Sequence, residues 1–302
     1  MPRWFSLYIK NTPRDGDLPP PTTPKKTFSS GLRTLYYPED AIVDIVFVHG
    51  LTGDRDRTWT ALGATTPWPE TLLPKKIPQA RILAFGYDAY VADWRAMVSN
   101  NRIGNHARNL LAALATYREG DYTNKLPIIF VAHSLGGLVC EDALISSRNS
   151  AEAHLHNIFD YTRGIAFLGT PHSGSGFARW AEQLAKLIGL IKQTNSQILE
   201  ILRTDSEVLA RIQADFHMML RARIKNGSQQ IAITCFFEEL PLPGIGEVVV
   251  PMHSAIIPAY MSIGIHSNHM TMTKFETEDD PGFISVTGEL QRWVKELKPP
   301  PP

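Results

Sequence analysis

Residues 128–145 read IIFVAHSLGGLVCEDALI. The opening five, Ile128 to Ala132, form an unbroken apolar run of the kind found in a strand buried on both faces. From about Gly137 to Ser146 the apolar residues fall at helical spacing. Ser134 therefore stands between a strand and a helix, with Ala132 and Gly136 two residues to either side. A turn this tight brings its flanking side chains together, so small residues are required there. The context predicts a serine held out at the tip of a strand, the posture of a nucleophile. The usual pattern is G-x-S-x-G, and Ala132 replaces its first glycine with a residue one methyl larger. A Ser-x-Gly turn that only caps a helix is the competing reading, and the flanking strand and helix weigh against it.

Working outward, residues 42–48 (IVDIVFV) are a β-branched run closed by His49-Gly50, and residues 81–85 (RILAF) end at Gly86. Further strands are expected at 164–168, 231–237 and 260–265. Helical spacing is found at 105–117, at 177–191, at 197–224 and at 286–297. Strands alternating with helices imply a mainly parallel sheet covered on both faces, with chemistry gathered at the carboxyl ends of the strands.

The 302 residues carry 30 Lys+Arg against 30 Asp+Glu, a net charge of zero that excludes a basic nucleic-acid footprint. Charged residues at 20% and hydrophobic ones at 43% describe a globular chain, long enough for one large α/β domain. Cys140 and Cys235 fall in a helix and a strand, so no disulfide framework is expected and a reducing compartment fits. No apolar run approaches the ~18 residues of a membrane span. Residues 1–10 lack the apolar core of a secretory signal, so an intracellular, cytoplasmic chain is expected. Prolines crowd residues 11–26 and fill 299–302, which read as a flexible arm and a linker-like tail. Histidine and cysteine spacing implies no metal, and Gly136-Gly137 lacks the G-K-[ST] of a phosphate loop. The Arg-rich stretch 211–225 reads as a solvated helix face.

A serine nucleophile needs a base. His266 and His269 follow the last strand; His269 lies deeper in the loop, where its side chain can reach the serine, and His266 reads as a strand-end surface residue. The acid is expected after strand 231–237, where Glu238, Glu239 and Glu247 qualify. Strand-end geometry favours Glu238, and Glu239 should point to the opposite face. Glu247 precedes Val248-Val249-Val250-Pro251, a position where many lipases carry their acid, and stands as the alternative. The backbone N–H groups of Leu51, after His49-Gly50, and of Leu135, after Ser134, are the candidate oxyanion donors. His49, Gly50, His133, Gly136, Thr170 and His172 are expected around the pocket and elbow. For Thr170 and His172, in the strand-ending turn Gly169-Thr170-Pro171-His172, a plain turn is an equal reading.

These pieces together resemble the lipase-like α/β-hydrolases. Within that group it more closely resembles the serine-active-site-containing proteins, related to GPI inositol-deacylases, with similar domains at the start of fungal receptor-like proteins. The resemblance rests on GLRTLYYP (31–38), DIVFVHGLTGD (44–54), VAHSLGGLV (131–139), FLGTPHSGS (167–175) and HMTMTKF (269–275). It supports Ser134 and His269, and also Glu238, since relatives tend to carry F-[FY]-E at that strand end. Where relatives often have an acid just before Ser254-Ala255, this chain has His253.

The expected architecture is thus an α/β-hydrolase fold, with a mainly parallel central sheet, helices on both faces and a helical insertion after the sixth strand. It would occupy residues 31–298, with an arm at 1–30 and a tail at 299–302. The expected activity is hydrolysis of small-molecule or lipid carboxylic esters by a Ser-His-acid triad, through an acyl-enzyme and without a cofactor. The alternative is an effector or signalling module of a fungal multidomain receptor-like protein. No nucleic acid or transmembrane segment is expected, peripheral membrane contact is left open, and the sequence leaves the oligomeric state unknown. The resemblance implies association with mitochondria or endoplasmic reticulum in some relatives.

Overall fold

Alternate side chains of β-strands face opposite ways, and in this chain both sets are apolar. In the strand Val43–Val48 all six residues are buried. Val46 and Val48 enter one core, and Val43, Ile45 and Phe47 enter another on the reverse face. Such a strand is stable only with a packed layer on each side.

The computed structural model describes residues 30–51, 53–87, 100–172, 180, 183 and 206–297. The elements run β1 (Gly31–Tyr36), β2 (Val43–Val48), α1 (Trp68–Thr71), α2 (Leu73–Lys76), β3 (Ala80–Gly86), α3 (Asn100–Gly120), β4 (Ile128–His133) and α4 (Leu135–Arg148). They continue with α5 (Ala153–Tyr161), β5 (Thr162–Leu168), α6 (Ser206–Lys225), β6 (Ala232–Glu238), α7 (Met252–Ala255), β7 (Met261–Ile265) and α8 (Pro281–Glu296). The seven strands pair in the order β1-β3-β2-β4-β5-β6-β7. Among the described residues only β1 is antiparallel, on β3, and every other pairing is parallel. One face is covered by residues of α3, α4 and α6, including Leu110, Leu138 and Phe216. The other is covered by Trp59, Trp68 and the α8 residues Phe283, Val286 and Leu290. This is the α/β-hydrolase fold expected from the sequence.

Among the described residues, the helical connection carrying α6 follows the fifth strand, not the sixth. The reason is that a single edge strand, β1, precedes β2. The proline-rich arm and tail, and the helical stretch 177–205 apart from Trp180 and Gln183, lie outside the described residues. No described helix is long and apolar enough to cross a membrane.

A cluster of buried charges interrupts the apolar sheet at one end. Asp44 in β2 is wholly buried and accepts from Arg81 Nε at 2.6 Å and Nη2 at 3.0 Å, and also from Arg118 at the end of α3. Arg81 also reaches Asp121 at 2.8 Å. Buried charge survives only when paired, and this cluster ties together the amino ends of β2 and β3. It lies at the opposite end of the strands from Ser134.

Candidate active site

Ser134 stands at the carboxyl end of β4, between the ends of β2 and β5. The chain leaves β4 at His133 and enters α4 at Leu135, and Ser134 between them has φ 53° and ψ −125°. This left-handed backbone is costly for a residue with a side chain and is held only by its surroundings. Two close approaches show why glycine is required nearby. A Cβ at Gly136 would stand 2.4 Å from His49 O, and one at Gly50 would stand 2.7 Å from Ser134 Cβ. The elbow and the His49-Gly50 loop after β2 are thus packed backbone to backbone.

His269, in the loop after β7, is 2% exposed. Its Nδ1 lies 3.3 Å from Glu238 Oε1 at the end of β6, and the Glu238 side chain is fully buried. The Val250 N–H also donates to Glu238 Oε1, at 2.6 Å, which fixes the carboxylate from the far side. Glu239 does turn outward as strand alternation requires, and it pairs at 3.2 Å with the exposed His266. Glu247 sits in an exposed turn, where its Oε2 accepts from Gln183 Nε2 at 2.7 Å.

His133 links the elbow to the His269 loop. Its Nε2–H donates to the His269 carbonyl at 3.0 Å, and the two rings lie 4.8 Å apart. Burial, with the nearby His269, holds the His133 pKa well below the usual histidine value, so this ring is neutral at neutral pH. Among the described residues, neither the Leu51 nor the Leu135 N–H has a backbone acceptor. Leu135 opens α4, where first-turn N–H groups lack helical partners and can meet an anion.

The turn after β5 lies along α4. Thr170 packs on Gly137, where an added Cβ would meet its hydroxyl oxygen at 2.2 Å. The His172 ring approaches Glu141 Oε1 at 3.1 Å, and the His172 N–H donates to Ser254 O at 2.6 Å. Gln213 donates to the other Glu141 oxygen, and burial raises the Glu141 pKa well above the usual carboxyl range. Glu141 and Gln213 are absent from the sequence reading, as is Tyr87, which stacks on His49 at 4.3 Å. The one available signal was helical spacing: Glu141 lies two turns beyond Ser134 on the same face of α4.

No family model matches the chain. By sequence it is similar to Protein SERAC1 of Mus musculus, 31% identical over 257 residues that cover 78% of this chain and 36% of that protein. Protein SERAC1 of Homo sapiens is 30% identical with the same coverage. Among solved structures, the esterase domain of a Rhodothermus marinus protein is 12% identical with a TM-score of 0.46, covering 88% of this chain and 91% of that one. A lipase-esterase related protein from Clostridium acetobutylicum is 10% identical with a TM-score of 0.44, covering 87% and 98%. This chain is therefore a sequence relative of Protein SERAC1, spanning about a third of the length of the curated relatives it matches.

Proposed function

We propose that residues 31–298 form a serine hydrolase of the serine-active-site-containing family that cleaves carboxylic esters, of lipids or of smaller alcohols. The observation that carries this reading is the sealed Glu238–His269 pair, 3.3 Å apart, in a chain whose Ser134 stands on a strained elbow. Ser134 Oγ attacks the ester carbonyl while its proton passes to His269 Nε2. Glu238 accepts the Nδ1–H, holds the ring in the required tautomer and stabilises the imidazolium. The oxyanion of the tetrahedral intermediate is met by the Leu51 and Leu135 N–H groups. Collapse expels the alcohol, which takes the proton back from His269, and leaves an acyl group on Ser134. Water activated by His269 then releases the acid. The neutral His133 beside His269 supports this cycle, because a second charge there would oppose the imidazolium.

An acyl-enzyme predicts a burst of p-nitrophenol in the first turnover of a short-chain p-nitrophenyl ester, equal in amount to the enzyme, whenever deacylation is the slower step. Ser134→Ala removes both burst and turnover. Ester turnover that survives Ser134→Ala overturns the reading.

A further inference from the structure

The peptide joining Gly50 to Leu51 is gripped by its carbonyl. The His49 ring is fully buried, and the Tyr87 backbone N–H donates to its Nε2 at 3.2 Å. With Nε2 an acceptor, the proton of the neutral ring resides on Nδ1. That Nδ1–H donates to Gly50 O at 2.9 Å, and the Gly53 N–H reaches the same oxygen at 3.3 Å. The Tyr87 hydroxyl donates to His49 O at 2.7 Å, which fixes the preceding peptide as well. A trans peptide is planar with its C=O and N–H pointing in opposite directions. Two donors holding the Gly50 oxygen therefore aim the Leu51 N–H the other way. That N–H has no backbone acceptor among the described residues, and the α-carbon of Gly50 packs against Ser134.

We propose that His49 is a positioning residue for the oxyanion contact: its Nδ1–H, selected by the Tyr87 N–H, sets the Gly50–Leu51 peptide so that the Leu51 N–H is presented to the substrate oxygen. The inference rests on the serine-hydrolase reading. Burial lowers the His49 pKa to about 4, so the ring keeps the required tautomer throughout the neutral range. The substrate oxygen carries its full charge only in the transition state, so a misaimed donor lowers kcat and leaves KM nearly unchanged.

The test compares His49→Asn, His49→Gln and His49→Leu with the wild type in turnover of p-nitrophenyl butyrate and in fluorophosphonate labelling of Ser134, with folding followed by circular dichroism. The asparagine amide nitrogen superposes on Nδ1, whereas the glutamine amide reaches only as far as Nε2. His49→Gln and His49→Leu are expected to lose about 10- to 100-fold in kcat, part of the effect of deleting an oxyanion donor, with KM within about twofold. His49→Asn is expected to lose far less than either. Should His49→Leu not fold, the asparagine–glutamine pair decides. A wild type labelled at Ser134 whose His49→Gln variant keeps full kcat, or loses no more than His49→Asn, overturns this inference alone. Labelling that does not fall on Ser134 overturns the hydrolase reading and this inference with it.

Discussion

Glu238 Oε1 lies 3.3 Å from His269 Nδ1 with both side chains shut off from solvent, whereas one residue later Glu239 pairs with the exposed His266. Strand alternation sends neighbouring carboxylates to opposite environments, and only the buried one can act on an imidazole in low dielectric.

Glu238→Gln is therefore expected to fold normally and to lose roughly 10⁴ in turnover, the effect of removing the charge that supports the imidazolium. Glu239→Gln and Glu247→Gln are expected to stay near wild type. Turnover of a short-chain ester by the three variants checks this, with circular dichroism as the control for folding. A large loss in Glu247→Gln with little in Glu238→Gln would move the acid to the exposed turn.

Asp44→Asn is expected to destabilise the fold by about 3–5 kcal/mol, because it strips Arg81 and Arg118 of a buried counter-charge. At 25 °C its esterase activity should be unaffected, since the cluster lies at the other end of the strands. Thermal unfolding measures the first effect, and a melting temperature equal to that of the wild type would contradict it.

Acid should weaken the fold through His49 and His133. The His49 pKa is lowered from 6.5 to about 4 by burial, so between those values the unfolded chain takes up a proton that the folded chain refuses. Stability from this residue is fully present above pH 6.5 and is lost as pH falls toward 4, to a total of about 3 kcal/mol. His133 acts in the same direction. Glu141, with its pKa raised, acts in the opposite one, because its folded form retains a proton as pH rises above 4.5. The His49 contribution is isolated by comparing the wild type with His49→Asn in denaturant titrations from pH 7 to pH 4. The difference should shift by about 3 kcal/mol against the wild type, and a pH-independent difference would rule the effect out.

The sequence made most of the sheet legible because β2 and β4 are unbroken apolar runs closed by turn residues. The elbow was legible because the small-residue requirement of a tight turn is local. Edge strand β1 was read only as part of a family resemblance. It is half-buried, with polar Arg33 and Thr34 in its middle, and its pairing with β3 lies some fifty residues away. α8 begins at Pro281, capped by Asp280, which accepts from Gly282 N and Phe283 N; the apolar spacing caught only the helix from 286 onward. The preference for Glu238 over Glu239 followed from period-two geometry. Beyond the helical spacing of Glu141 from Ser134, the contacts of Glu141 with His172, of Gln213 with Glu141 and of Tyr87 with His49 each join residues 31 to 72 positions apart, which one sequence does not encode by spacing.

The most direct test of the account is the labelling of Ser134 itself. Wild-type protein treated with a fluorophosphonate and digested should show one modified peptide, with the adduct on Ser134, and Ser134→Ala and His269→Ala should each abolish it. Stoichiometric labelling that persists in Ser134→Ala, or falls on another residue of the wild type, would contradict the assignment of the nucleophile on which the mechanism depends.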